Sequence, residues 1–305
     1  MTAMTVTGRT STANHPGGTP ALVVVAHGSR DPRALSTVGA LLDRVRALRP
    51  ALPVRLGHIE LNEPRLPGTL AALEDGDAVL VPLLLSRGYH VKQDIPEMAA
   101  AAPARTRVAA PLGPHPLLAD ALHDRLLEAG WPARAPRGGA VVLASAGSRD
   151  PESRTDTARA AALLAGRLGV PVVPAYASAA APTVPEEVRA LTARGHRRVA
   201  VASYFTAPGR FATECAAAAP WIASAPLGVH PAMARLLLRR YDEAVGARTE
   251  RPGALPDDGL SGSLAQSDRP AGQAVHLDQT GTRHFHSAAE GPVAPPQHCP
   301  VPAFG

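Results

Sequence analysis

The stretch "ALVVVAHGSRDP", residues 21–32, predicts a buried strand, a short loop and the start of a helix. Six consecutive apolar residues are typical of a strand that is buried on both faces of a parallel sheet. Asp31 and Pro32 are suited to the N-cap and the first position of the helix that follows. His27 is therefore expected at the carboxyl end of the strand, the edge at which parallel sheets bind ligands.

The chain contains the same pattern twice. The motif "GSRDP" occurs at 28–32 and again at 147–151. The pattern "APLG" followed by "HP" occurs at 110–116 and again at 225–231. The two spacings are nearly equal, which indicates an internal duplication of about one domain per copy.

Each copy is predicted to alternate strands with helices, which is typical of a parallel sheet with right-handed crossovers. We therefore predict an α/β fold with two tandem doubly wound parallel-sheet domains. The strands are predicted at 21–26, 54–59, 78–84 and 107–112 in the first copy, and near 140–144, 172–176, 198–203 and 222–226 in the second.

The predicted domains are bounded by segments rich in proline, glycine and polar residues, which are predicted to be linkers or disordered. The segments are a disordered N-terminal extension (1–20), a first domain (21–131), a linker (132–139), a second domain (140–246) and a disordered tail (247–305).

Composition narrows the class of protein. The net charge of +5 comes almost entirely from arginine, but the arginines are scattered and aromatic residues make up only 3% of the chain. We therefore expect no nucleic-acid partner. The two cysteines, Cys215 and Cys299, form no CxxC motif, and no apolar run has the length of a signal peptide core or a membrane span. These features predict a cytoplasmic protein without a membrane partner.

Three residues of metal-ligating types follow predicted strands of the first copy. His27 follows the first strand, Glu60 follows the second in "GHIELNEP" (57–64), and His90 follows the third in "LLLSRGYHVKQDIP" (83–96). The carboxyl ends of parallel strands share one edge of the sheet. Two imidazoles and a carboxylate at one edge predict a site for a first-row divalent metal ion.

The second copy lacks these three residues. Ala146 is aligned with His27, Ser178 with Glu60, and either Arg210 or Phe211 with His90, with "VLVPLLLS" (79–86) placed opposite "VAVASYFT" (199–206). His115 in the first copy is aligned with His230 in the second. Because both copies keep this histidine, we assign the two residues to helix starts and not to the site.

Three motifs resemble the signatures of the class II chelatases that act on sirohydrochlorin, in their long, duplicated form. They are "VVVAHGSRDP" (23–32), "GHIELNEPRLP" (57–67) and "VPLLLSRGYHVKQDIP" (81–96), and the resemblance covers about 21–245. It implies a chelatase-like fold and insertion of Fe²⁺, Co²⁺ or Ni²⁺ into sirohydrochlorin, for siroheme or a cobalamin precursor. It also implies that His27 and His90 are catalytic and bind the metal together with Glu60, while the second half is degenerate.

The implied substrate carries eight carboxylates, so we expect basic and small residues to bind it near His90. The metal ion is a second substrate, and no permanent cofactor is expected. The predicted substrate-binding residues are Ser86, Arg87, Gly88, Tyr89, Lys92 and Arg210.

Two alternatives remain open for the function. Insertion of cobalt for cobalamin is possible in place of the favoured Fe²⁺ for siroheme, because the donor set does not separate the two ions. A carrier that binds metal or tetrapyrrole without turnover belongs to a different class. The tail offers a further candidate metal-binding group, which we interpret as incidental, at His276, His284, His286, His298 and Cys299.

Overall fold

Two parallel sheets with the same topology form the framework of the molecule, and the computed structural model describes residues 19–247. The strand orders are β2-β1-β3-β4 and β6-β5-β7-β8. This arrangement confirms the predicted α/β class with tandem doubly wound sheets. The first half contains β1 (Ala21–Ala26), α1 (Pro32–Leu48), β2 (Val54–His58), α2 (Leu66–Ala71), β3 (Asp77–Pro82), a π-helical turn (His90–Asp94), α3 (Ile95–Ala100), β4 (Arg105–Val108) and α4 (Pro116–Glu128). The second half contains β5 (Gly139–Ser145), α5 (Pro151–Leu168), β6 (Val172–Tyr176), α6 (Val184–Ala193), β7 (Arg198–Ser203), α7 (Arg210–Ala217), β8 (Ile222–Ala223) and α8 (Pro231–Gly246).

The helix starts follow the local signals in the sequence. Asp31 caps α1 by accepting a hydrogen bond from the backbone N–H of Arg33 at 2.9 Å, and Pro32 occupies the first turn. His115 and His230 cap α4 and α8, because the Nδ1 atom of each accepts a backbone N–H two residues further on. The assignment of these two histidines to helix starts is thus confirmed.

The two halves share one hydrophobic core. Helices α1, α4, α5 and α8 lie between the sheets, and their apolar faces pack together with the inner faces of β1 and β5. The outer faces of the sheets are covered separately, the first by α2 and α3 and the second by α6 and α7. Since the apolar area buried between the halves belongs to both, neither half has a complete core of its own.

The last strand of each sheet is shorter than predicted. The expected strands at 107–112 and 222–226 are Arg105–Val108 and Ile222–Ala223. Both predicted ranges run into or up to a proline, Pro111 or Pro226, which has no N–H to donate to a neighbouring strand.

The predicted alignment of the third strands was wrong by one residue. The N–H of Leu83 donates to Val25 O, and the N–H of Tyr204 donates to Ala144 O in the equivalent position. Leu83 therefore corresponds to Tyr204, whereas the sequence alignment had paired it with Ser203. Apolar strands carry little register information in their composition, so only the hydrogen-bond ladder distinguishes the two alignments.

Parts of the predicted organisation lie outside the described residues. These are residues 1–18, residues 248–305 and the five histidine and cysteine positions of the tail. Within residues 19–247, no helix is long and apolar enough to cross a membrane.

Candidate active site

The sheet order brings three predicted site residues to one edge. Strand β1 lies between β2 and β3. The connection from β1 to β2 therefore leads to one side of β1, and the connection from β2 to β3 leads to its other side. The loops that leave these three strands therefore diverge at a switch point, where α/β sheets form ligand sites. His27 follows β1, Glu60 follows β2, and His90 begins the π-helical turn after β3.

His27 and Glu60 are close enough to share one ion. Nε2 of His27 lies 3.2 Å from Oε1 of Glu60, and both side chains are nearly half exposed. Two donors that are each about 2.1 Å from an ion, at right angles, would be about 3.0 Å apart. Nδ1 of His27 faces the carbonyl oxygen of Gly28 at 3.3 Å. With its proton on Nδ1, His27 directs the Nε2 lone pair at Glu60, and a cation or proton between these acceptors is favourable.

Gly28 permits this approach of the two loops. Its φ is +106°, and a Cβ at this position would lie 2.0 Å from the carbonyl oxygen of Glu60. The N–H of Glu60 donates to His27 O at 3.0 Å across the same contact. Any residue other than glycine would separate the loops and move Glu60 away from His27.

His90 completes the group and is oriented by an aspartate that the sequence analysis missed. The rings of His27 and His90 meet edge to face, with centroids 4.7 Å apart. Nδ1 of His90 lies 2.5 Å from Oδ2 of Asp94. A carboxylate that accepts Nδ1–H leaves the lone pair on Nε2, the atom that can bind metal or accept a proton. The spacing of four residues in "HVKQD" (90–94) was the available signal, since it places both side chains on one helical face.

Another histidine near these strand ends, His58, was not considered in the sequence analysis, and its surroundings indicate a structural role. It precedes Glu60 by two residues at the end of β2 and is only 2% exposed. Burial lowers the pKa of its imidazole, and Nδ1 lies 3.3 Å from the carbonyl oxygen of Pro64. It does not line the cleft described below.

The second half retains the geometry of these loops but lacks the two histidines and the glutamate. Gly147 has a φ of +90°, and a Cβ there would lie 1.9 Å from Ser178 O. The N–H of Ser178 donates to Ala146 O, as that of Glu60 does to His27 O. In the first half the N–H of Lys92 donates to Gly88 O, and in the second half the N–H of Thr213 donates to Gly209 O. These matching hydrogen bonds show that Gly209 is equivalent to Gly88. The residue equivalent to His90 is therefore Phe211, not Arg210, which corresponds to Tyr89.

A cleft of about 390 Å³ separates these two sets of strand ends. Both halves contribute walls, and the lining residues within the described chain include no arginine or lysine. The first-half lining is His27, Leu83, Leu84, Leu85, Ser86, Gly88, Tyr89, His90 and Val91. The second-half lining is Ser145, Ala146, Gly147, Ser148, Ser153, Ser178, Tyr204, Phe205, Thr206 and Phe211.

The predicted substrate-binding residues fall into two groups. Ser86, Gly88 and Tyr89 line the cleft, and the Tyr89 side chain is largely exposed. Arg210 lies over the Phe211 ring, with its guanidinium carbon 4.8 Å from the ring centroid, and is 75% exposed. It is thus a cation beside a cleft wall that remains accessible to an anionic ligand.

Arg87 and Lys92 form the other group, because each makes ion pairs with α5. The guanidinium of Arg87 lies 2.7 Å from Asp156 and 2.7 Å from Glu152. The ammonium of Lys92 lies 2.7 Å from Asp150 and also contacts Glu152. The binding of substrate by Arg87 and Lys92 stays a prediction, and in this structure their charges are balanced by second-half carboxylates.

Within residues 19–247, no group of three or more His, Cys, Asp or Glu side chains has the arrangement of a preformed metal site. His27, Glu60 and His90 are brought together, but they do not form a closed cage. An open, incomplete donor set can bind an ion and release it, whereas a closed four-ligand site retains its metal. The arrangement is therefore suited to a metal ion that passes through the site.

Comparison with known sequences finds a match to the same protein family in both halves. The family model described as CbiX matches residues 21–129 and again residues 140–244. The sirohydrochlorin ferrochelatase of Bacillus subtilis (strain 168) is 32% identical over 176 residues, which cover 54% of this chain and 66% of that relative. The sirohydrochlorin cobaltochelatase of Methanococcus aeolicus is 35% identical over 81 residues, which cover 26% of this chain and 57% of that relative. The chain thus spans at most 66% of the length of these two relatives.

Solved structures resemble the chain over most of the described residues. SirB from Bacillus subtilis with Fe³⁺ has a TM-score of 0.63 and 26% identity, covering 76% of this chain and 98% of that one. CbiX, described as the terminal enzyme for biosynthesis of siroheme in denitrifying bacteria, has a TM-score of 0.58 and 23% identity, covering 73% and 99%. The second likeness concerns the fold alone.

Proposed function

Because the chain belongs to the CbiX family, we propose that it is a sirohydrochlorin chelatase that inserts Fe²⁺ to give siroheme. The observation that carries the proposal is that His27 lies beside both Glu60 and His90, and that the two histidines line a cleft between the halves. Relatives named sirohydrochlorin ferrochelatase and cobaltochelatase support the reaction class.

The reaction exchanges one divalent cation for two protons on pyrrole nitrogens, so the ring and the metal ion must meet beside a base. In the proposed mechanism, Glu60 and His27 hold the ion between Oε1 and Nε2, and its remaining positions keep water or face the ring. The Nε2 atom of His90 is free to accept a proton because Nδ1 is bound to Asp94. Nε2 of His90 accepts one pyrrole proton, and Nε2 of His27 accepts the other once the ion has left it for the ring. Both partly exposed rings then release their protons to solvent.

The ring is proposed to enter between the two halves, with one face toward the histidines. The opposite wall carries Ala146, Ser178 and Phe211, which offer no base and no tight metal ligand. Gly88 allows the loop before His90 to approach the ring, and Ser86 and Tyr89 lie beside it. Arg210 is proposed to pair with a substrate carboxylate from the second half.

Cobalt is the second candidate metal. Several relatives named sirohydrochlorin cobaltochelatase align with the chain, and a solved relative carries cobalt. Imidazole and carboxylate donors accept Fe²⁺ and Co²⁺ alike. Metal choice therefore has to be measured on this protein. The low cysteine content favours a reducing compartment, and we propose that the reaction takes place in the cytoplasm.

The test is a multiple-turnover assay with sirohydrochlorin and Fe²⁺, Co²⁺ or Ni²⁺, singly and in competition. The expected result is many turnovers per protein with Fe²⁺ preferred, and loss of about 100-fold or more in kcat for His27→Ala and for His90→Ala. One turnover or none, with tight binding of metal or ring, would instead assign the protein to the carriers. Near-normal turnover by both variants would remove the two histidines from the mechanism.

A further inference from the structure

The loop that carries His90 is held by the first turns of α5, from the opposite half. The Arg87 guanidinium donates to both carboxylate oxygens of Asp156, from Nε at 2.9 Å and from Nη2 at 2.7 Å. Its backbone N–H donates to Asp156 as well, at 2.9 Å. Ser86 lies 2.9 Å from Ser153 through the two hydroxyl oxygens. The chain just before His90 is thus fixed through both side chain and backbone.

This set of contacts, which we call the latch, has a buried centre and an exposed margin. The latch consists of Arg87 and Lys92 in the first half, and Asp150, Glu152 and Asp156 in the second. Only 1% of the Asp156 side chain is exposed. Burial would raise the pKa of Asp156, but hydrogen bonds from Arg87 outweigh it and keep the pKa below its ordinary value. A buried, ionised, bidentate pair fixes geometry more firmly than exposed pairs do.

The latch is not part of the duplicated scaffold. Arg87 corresponds to Pro208 in the second half, and Asp156 corresponds to Thr37 on α1. Glu152 corresponds to Arg33, which pairs with its own N-cap residue, Asp31, 2.7 Å away. The loop that carries Phe211 therefore has no matching ion pairs with α1. Only the loop that carries the histidine is latched.

We propose that Arg87 and Asp156 are positioning residues, through which the second half sets the place of His90 relative to His27. The inference rests on the proposed function. His90 follows Arg87 by three residues, and Lys92 lies within the same π-helical turn as His90. A shift of this turn by about 1 Å would move Nε2 of His90 relative to the ion bound at His27 and Glu60, and misplacements of that size cost up to about 100-fold in rate. The second half thus contributes to catalysis without a reacting group of its own.

The latch is tested by comparing Asp156→Asn with Asp242→Asn. Asp242 on α8 also forms a bidentate pair across the halves, with Arg49 at 2.6 and 2.9 Å, but it does not line the cleft. Both variants are expected to lose thermal stability. Asp156→Asn is expected to lower kcat by about tenfold to 100-fold with KM for sirohydrochlorin within about twofold. Asp242→Asn is expected to keep the kcat of the unaltered chain. Equal kcat in the two variants, per folded molecule, would overturn the proposal.

A spectroscopic readout separates positioning from general destabilisation. Co²⁺ added to the protein without sirohydrochlorin reports imidazole ligation in its visible spectrum. Asp156→Asn is expected to weaken Co²⁺ binding or to change that spectrum, and Asp242→Asn is expected to leave it unaltered. Identical spectra and affinities for Asp156→Asn and the unaltered chain would contradict the proposal.

Three further variants complete the design. Arg87→Gln combined with Asp156→Asn is expected to lose no more than the worse single variant, because both act through one contact. A rise in KM for Arg87→Gln with kcat unchanged would assign Arg87 to substrate binding instead. Glu152→Gln, at a half-exposed position, is expected to lower kcat a few-fold and provides the measurement if Asp156→Asn does not fold.

Failure of the unaltered chain to insert metal would refute the proposed function, whereas equal Asp156→Asn and Asp242→Asn activities in a working enzyme would refute only the latch.

Discussion

Nδ1 of His90 lies 2.5 Å from Oδ2 of Asp94, one turn further along the same helical segment. This contact selects the nitrogen with which His90 faces the cleft, because the proton on Nδ1 is held by the carboxylate. A π-helical turn bears both residues, and such turns are rare and frequently found at functional sites. The proposed catalytic role of His90 therefore depends on a second residue, Asp94, which does not line the cleft.

Asp94→Asn is expected to reduce metal affinity or kcat by about tenfold to 100-fold, since the amide is a weaker acceptor and can present its NH₂ group to Nδ1. The measurement is turnover at several metal concentrations together with Co²⁺ titration. Glu97→Gln provides a matched control, because Glu97 is a carboxylate on the adjacent helix α3 that pairs with Gln93. Equal activity of the two variants would show that Asp94 does not orient His90.

Glu60→Gln is expected to raise the KM for the metal ion about tenfold and to lower kcat less, because in the proposed mechanism the carboxylate supplies charge to an ion that it shares with His27. Kinetics at limiting and saturating Fe²⁺ would measure this. Excess metal should restore most of the rate. A loss that is the same at every metal concentration would instead favour a role for Glu60 in proton transfer.

Arg210→Glu is expected to raise the KM for sirohydrochlorin several-fold with a smaller effect on kcat. The reason is that Arg210 is exposed beside Phe211 and offers binding charge, not a base. Arg44→Glu on the exposed face of α1 makes the same change in net charge away from the cleft, and it should leave both constants unaltered. If both variants raise KM equally, the effect comes from net charge and not from contact.

A chain that ends at residue 135 is expected to aggregate or to dimerise. Helices α1 and α4 bury Leu41, Leu42, Leu118 and Leu122 in the core that both halves share, and truncation would expose these side chains. Size-exclusion chromatography with light scattering is the measurement. A stable monomer with full chelatase activity would contradict both this prediction and the role of the second half as a cleft wall.

The stability conferred by Asp156 is expected to depend on pH. The pKa of Asp156 in the folded chain is lower than its ordinary value of about 3.9, so folding favours its charged form. Its contribution is then complete above about pH 4 to 5 and is lost as pH falls through the folded-state pKa. Urea unfolding should show Asp156→Asn less stable by about 2 kcal/mol at pH 7 and a smaller difference near pH 3. A difference that is constant from pH 3 to pH 7 would show that the effect is not due to ionisation.

The sequence alone was sufficient to predict the fold class, the duplication and the strand ends after which His27, Glu60 and His90 follow. These features depend on interactions that are local or repeated: an apolar run at 21–26, a helix cap at Asp31, and motifs that occur twice. Each leaves a pattern within a few residues, because burial and capping are set by the immediate neighbours in the chain.

Tertiary structure alone decided which residue replaces His90, and where the charges of Arg87 and Lys92 are directed. The register of two apolar strands is set by hydrogen bonds between strands, so Phe211 could not be distinguished from Arg210 by composition. Arg87 and Asp156 are 69 residues apart, and they meet only because α5 packs against the first half. A free arginine and a paired one have the same letter in the sequence, since the partner is determined by the packing of distant elements.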